Sequence, residues 1–171
     1  VGDRWARHGA PDASSREVVG SCRAADGSGR MCCWLAKRDS GEVRMDRVRD
    51  IEEAIGAHAR WMSELRQAIL DAKAGVDVEA IRADDRCEFG QWLYGPRLSA
   101  EDRAAKDFEE VRRLHAEFHQ LAAEVVERAL AGQTVEAYAL LYGKYVTLSG
   151  RLALAMRAWQ ARLLQGIAGN A

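Results

Sequence analysis

From Met45 onward the apolar positions recur at helical spacing. Val48, Ile51, Ile55, His58, Met62, Leu65 and Ile69 follow one another at alternating intervals of three and four residues, which places them on one face of an α-helix. Arg49, Glu53, Arg60 and Glu64 fall off that stripe. The spacing predicts a half-buried helix from about residue 43 to 73, ended by the basic turn and glycine of Lys73-Ala74-Gly75. Asp77 is placed to cap a single helical turn, Cys87 stands near the start of another short piece, and Gly95-Pro96 closes it. Ser99-Ala100-Glu101-Asp102 has the form of a capping box. It opens a second long helix to about Ala131, whose stripe is Phe108, Val111, His115, Phe118, Ala122, Val125 and Ala129. Gly132 stops that helix and Thr134 is placed to cap a third. The third turns Tyr138, Leu141, Tyr145, Leu148, Leu152, Ala155, Trp159 and Leu163 inward. The expected fold is all-α: an antiparallel helical bundle of three long helices plus one or two short ones, over residues 45–167. Residues 1–44 lack any such period and are rich in Gly, Ser, Arg and Asp, so they read as a poorly structured N-terminal extension or linker.

Composition narrows the function classes. The 171 residues are 48% hydrophobic and 30% charged, with 25 Lys and Arg against 26 Asp and Glu, a net charge of −1. That balance lacks the basic excess of a nucleic-acid-binding face. No run approaches the ~20 apolar residues that a membrane span needs. With no signal-like segment at the start, Cys22, Cys32, Cys33 and Cys87 are expected in the reducing cytoplasm, where thiols serve metal or redox chemistry rather than disulfides.

The chemistry lies on the stripes themselves. His58 and His115 occupy inward positions, and His119 follows His115 by one turn, so the two rings can aim at one point. A lone histidine in an apolar stripe is more often a hydrogen-bonded core residue than a ligand. Three inward histidines on two helices, out of four in the chain, shift the balance toward a metal. Cys87 lies between the two helices and is the candidate fourth donor, although a buried free cysteine is also an ordinary small core residue. Three imidazoles and a thiolate form a tetrahedral set of the kind Zn²⁺ accepts. Mg²⁺ and Ca²⁺ prefer oxygen, while copper and nickel stay open on ligand type alone. Cys22, Cys32 and Cys33 with His8 make a poor second site, because two of the cysteines are adjacent and chelating pairs sit two to four residues apart.

The succession His58-x-x-Trp61, then Cys87-x-Phe89-Gly90-x-Trp92-Leu93-x-Gly95, then His115-x-x-x-His119 resembles the chemoreceptor zinc-binding (CZB) domain, a helical-bundle module of bacterial chemoreceptors and diguanylate cyclases. The likeness covers roughly residues 45–167. It implies Zn²⁺ held by His58, Cys87, His115 and His119, a cytoplasmic location and homodimerisation through the bundle. It also implies a sensory role, for zinc itself or for oxidants such as hypochlorous acid acting at the cysteine, with a chemoreceptor signalling or diguanylate cyclase partner as the output. No catalysis of its own is expected. The methyl-accepting or GGDEF domain that such proteins usually carry has no counterpart in this chain. Two other readings compete. A DinB-like helical-bundle enzyme, a thiol transferase, would use the three histidines alone and keep a coordination position for substrate. A metal-free scaffold would use them as core residues. A di-iron bundle is disfavoured because no Glu-x-x-His pair is present.

Overall fold

The computed structural model describes the backbone of residues 30–71 and 75–168 and the side chains of residues 44–71 and 75–165. His8 and Cys22 lie outside the described residues, as do the side chains of Cys32 and Cys33. Every element is helical: α1 (Arg30–Asp71), α2 (Val78–Arg82), α3 (Glu88–Tyr94), α4 (Ala100–Ala104), α5 (Lys106–Leu130), α6 (Thr134–Leu140), a π turn (Leu141–Tyr145) and α7 (Val146–Ala168). Three long helices carry the bundle. α1, α5 and α7 each pack on the other two, and α2 lies on α5.

Cross-links at one end set the directions. Arg47 Nη1 donates to Asp102 Oδ1 at 2.7 Å. Gln160 Nε2 donates to the Val48 carbonyl at 3.1 Å, and Arg162 pairs with Asp107. The middle of α1, about Arg47 and Val48, and the beginning of α5 therefore lie beside the later turns of α7. The antiparallel relation holds for α7 against both partners, whereas α1 and α5 run side by side in the same direction. A parallel pair needs a connection that travels back along the bundle, and, among the described residues, 75–105 make that journey. Short helices α2, α3 and α4 are the stations on it, with Cys87 near the middle of the return path. This topology brings a cysteine level with histidines on two neighbouring helices.

The α5 stripe is buried as its spacing predicts, with Val111, His115, Phe118, Ala122 and Val125 all fully enclosed. In α1, Ile51, His58, Leu65 and Ile69 are buried, while Ile55 and Met62 are half-buried. Each fully buried aliphatic side chain contributes roughly 1.5–3 kcal/mol of transfer free energy. The core therefore needs no special device outside the site.

Four local expectations are revised. α1 starts at Arg30 rather than near residue 43, because an existing helix extends by one hydrogen bond per residue without paying nucleation again. The capping box at Ser99 is present, but it opens the five-residue α4, not the long helix. Ala105 is extended, with ψ 137°, and α5 begins at Lys106. The break falls between two tertiary anchors, Asp102 on Arg47 and Phe108 edge-on to Trp159 at 5.8 Å. Packing overrides the helix propensity of Ala105 there. Thr134 is the first residue of α6, not its cap. Gly132 turns back in the left-handed region at φ 74° and the Gln133 N–H bonds to the Arg128 carbonyl at 2.9 Å, so the reversal is complete before Thr134. Finally, the inward face of α6 and α7 is Ala137, Leu141, Tyr145, Leu148, Leu152, Met156 and Trp159, with Tyr138 and Ala155 half-buried beside it. Two successive steps of four residues, 137 to 141 to 145, would carry a regular α-helix about 80° round its axis. The wider π turn at Leu141–Tyr145 takes up that drift and keeps the face on the core.

Candidate metal centre

His58 stands in the middle of α1, and its Nδ1–H donates to the carbonyl of Ala54, one turn earlier, at 2.7 Å. That bond assigns the proton to Nδ1 and leaves Nε2 with a free lone pair. His119 is held in the same manner from outside its helix: its Nδ1–H donates to the Ile81 carbonyl of α2 at 2.7 Å. His115 turns its Nε2 toward Cys87 Sγ at 3.4 Å. Cys87 is the N-terminal cap of α3, and its sulfur accepts the Gly90 N–H at 3.2 Å.

The four donor atoms all lie within 4.8 Å of one another. A tetrahedral Zn²⁺ with about 2.05 Å to nitrogen and 2.3 Å to sulfur separates its N and S ligands by about 3.6 Å, close to the 3.4 Å between Cys87 and His115. The surroundings are dry and aromatic. Relative exposures are 7% for His58, 0% for His115 and 1% for His119. Phe89 meets His58 and His115 edge-on at 5.5 and 5.1 Å, Phe118 meets His58 at 4.9 Å, and Trp61 covers His119 at 5.1 Å. Yet His58 Nε2, His119 Nε2 and His115 Nδ1 are buried without any hydrogen-bond partner. Each orphan costs about 1–3 kcal/mol if nothing binds it. The free Nε2 atoms of His58 and His119 meet His115 Nε2 and Cys87 Sγ at one point, whereas the orphaned Nδ1 of His115 is the other nitrogen of its ring. Four such donor atoms are the arrangement a cation satisfies, and these residues fit a tetrahedral metal.

Burial sets the protonation states. Desolvation lowers the His58 imidazolium to about 4, lowers His115 well below its usual value and lowers His119, so all three rings are neutral at physiological pH. Desolvation also pushes the Cys87 thiol up to about 11 in the metal-free chain. A bound cation reverses that last effect, so metal uptake releases the thiol proton. A pH dependence of stability follows for metal-free protein. The unfolded chain takes up histidine protons near pH 6.5, before the folded site can, so this contribution to stability is complete above that pH and is lost as pH falls toward 4. Three such rings give a limiting slope of about 4 kcal/mol per pH unit. Urea unfolding of metal-free protein is expected to show a clearly lower midpoint at pH 5 than at pH 7.5. Equal midpoints would mean that the rings are solvated and not enclosed as described.

The structure thus brings His58, Cys87, His115 and His119 together. Trp61 is at the site, whereas Trp92 is not: it stacks on Phe89 at 5.5 Å and reaches Trp159 of α7 at 5.7 Å. Two contributors carried no legible sequence signal, Asp84 and Tyr94. The Tyr94 hydroxyl donates to Asp84 Oδ2 at 2.5 Å, and the same oxygen lies 3.9 Å from His115 Nδ1. Gly90 is a third. A Cβ there would stand 1.8 Å from the Asp84 carbonyl oxygen, so only glycine lets α3 press against the preceding loop.

Among the described residues no helix is long and apolar enough to cross a membrane. Residues 58–126 match the family model described as the chemoreceptor zinc-binding domain. The matched segment opens on His58 and encloses Cys87, His115 and His119. No curated protein and no solved structure matches the chain. Over residues 58–126, less than half of its length, this chain is similar to the chemoreceptor zinc-binding domain family.

Proposed function

We propose that the chain is a zinc-binding sensory module in which His58, Cys87, His115 and His119 hold one Zn²⁺ as a closed tetrahedral set. The supporting observation is the convergence, within 4.8 Å in an aromatic enclosure, of one thiol and three neutral imidazoles that each have a buried ring nitrogen without a hydrogen-bond partner. Bound zinc would supply fixed positive charge and hold Cys87 as the thiolate. With four protein ligands no position is left for water, so the centre is suited to responding rather than to hydrolysis. The DinB-like alternative needs Cys87 as a bystander, and the 3.4 Å approach of its sulfur to His115 Nε2 speaks against that.

Two signals suit such a centre: zinc availability, and an oxidant at the sulfur. With hypochlorous acid, the thiolate gives an electron pair to chlorine and hydroxide departs. Water then displaces chloride, leaving the sulfenic acid, hydrogen ion and chloride. A sulfenic acid is the weaker ligand, so α3 loses its tether at Cys87. Trp92 links α3 to Trp159 of α7, which gives the rearrangement a path to the long helices and from there to a chemotaxis or cyclic-di-GMP partner. The reading includes a cytoplasmic location, a homodimeric bundle and no catalysis of its own.

Elemental measurement on untagged protein, followed by one equivalent of hypochlorous acid, tests it. One zinc per chain and its release on oxidation, with a change in helical content, are expected. Zinc that stays bound with unchanged helicity would remove the oxidant branch and leave zinc sensing. Absence of any bound transition metal would remove the whole reading.

A further inference from the structure

The three histidines are not held alike. His58 and His119 each bond Nδ1–H to a backbone carbonyl at 2.7 Å. His115, the most deeply enclosed at 0% exposure, has no partner for Nδ1 at all. With its Nε2 facing Cys87 Sγ and offering a lone pair to a metal, the ring proton must sit on Nδ1. An acceptor is close by. Asp84 Oδ2 stands 3.9 Å away, on a side chain that is 24% exposed. The Tyr94 hydroxyl donates to that same oxygen at 2.5 Å. The main chain of Asp84 is itself wedged under Gly90, where no Cβ would fit. A charge-assisted N–H···O⁻ bond has a length of about 2.7–2.9 Å, so a side-chain rotation that moves the oxygen by about 1 Å completes it.

We propose that Asp84 is a positioning residue of the metal centre: its carboxylate, steadied by the Tyr94 hydroxyl, takes the Nδ1–H of His115 and fixes that ring with Nε2 toward the metal. The inference rests on the metal-binding reading above and adds to it the one outer partner that the site otherwise lacks. Metal-bound histidines characteristically donate their other N–H to a carbonyl or a carboxylate. Here two rings use carbonyls of α1 and α2, and the third uses a side chain. Asp84 also belongs to the loop that leads into Cys87. The position of this one residue thus bears on two ligands: on the ring of His115 through its carboxylate, and on Cys87 through its place three residues upstream.

Full-length wild type, Asp84→Ala, Asp84→Asn and Tyr94→Phe should be compared by competition with a chromophoric zinc chelator and by ¹⁵N-edited spectra of the zinc-loaded imidazoles. Asp84→Ala is expected to weaken zinc about 10–100-fold, while the melting temperature of the metal-free protein stays near that of wild type. Asp84→Asn retains an acceptor and recovers most of the affinity; Tyr94→Phe loses a few-fold. In zinc-loaded wild type the His115 Nδ1–H signal is expected to be protected from exchange, and to vanish in Asp84→Ala while those of His58 and His119 remain. A merely structural clip between Asp84 and Tyr94 would shift metal-free melting and leave the three imidazole signals alike. Affinity within twofold of wild type in Asp84→Ala overturns the proposal, and so does an unprotected His115 Nδ1–H in wild type, which needs no variant to fold. A wild type that binds no zinc brings down the metal reading with it; a wild type that binds zinc normally beside an unaffected Asp84→Ala brings down this inference alone.

Discussion

Replacing His115 with leucine is expected to weaken zinc binding about hundredfold and yet leave the metal-free protein at least as stable as metal-free wild type. Leucine has nearly the volume of the imidazole and no polar atoms, so it fills the 0%-exposed position without the orphaned Nδ1. Removing one unsatisfied buried donor is worth about 1–3 kcal/mol. Zinc in small structural sites contributes on the order of 10–16 kcal/mol of apparent binding free energy; one ligand in four accounts for roughly 3 kcal/mol, or about 10²-fold in affinity. The two effects have opposite signs, and that opposition separates a ligand from a packing histidine. A core residue held by its own hydrogen bonds would lose stability in the variant with or without metal. Unfolding curves of His115→Leu and wild type, each with zinc and with chelator, give all four numbers. Reduced stability of the metal-free variant, together with undiminished zinc, would mean that the ring is structural. In the same series Cys87→Ala discriminates the DinB-like enzyme, in which affinity would barely change, from the four-ligand set, in which it falls by a similar hundredfold.

Gly90→Ala is the second substitution with a large expected consequence, though it touches no ligand. The added methyl would lie 1.8 Å from the Asp84 carbonyl oxygen, 2.8 Å from its carbon and 3.0 Å from Asp85 Cα. All three are backbone atoms, so no side chain can swing away. Either α3 lifts or the 84–85 loop retreats, and Cys87 sits between them. A cost of about 3 kcal/mol or more is expected, which corresponds to a fall of about 10 °C in melting temperature for a chain of this size. Zinc affinity should fall with it, since the sulfur loses both its place and the Gly90 N–H that it accepts at 3.2 Å. Calorimetry and zinc titration check the pair of effects; a variant that melts like wild type would show that the loop and α3 are not pressed together.

The stripes on α1 and α5 were legible because each helix buries a single face, and three histidines on two such faces already pointed inward. Cys87 was legible only through its place between them and through the surrounding motif. What stayed hidden depended on contacts between segments distant in the chain. Ala105 favours a helix locally, and only the anchors of Asp102 on Arg47 and Phe108 on Trp159 explain why the chain breaks there. The shared direction of α1 and α5 leaves no mark on either helix, being decided by the return path of residues 75–105. Asp84 looks like any loop aspartate until a buried nitrogen without a partner is found 3.9 Å away.

That return path has a consequence for kinetics. The thiol donor rides on a segment of short helices that folds back over a pair of long ones, with 28 residues between His58 and Cys87 and 27 between Cys87 and His115. An ion clamped there closes two loops of nearly equal length, and either loop can reopen without melting α1, α5 or α7. Short elements of this kind open at a fraction of the global free energy. The residence time of the ion should therefore be set by excursions of residues 75–98, and amide exchange in that stretch should slow on loading far more than in the long helices.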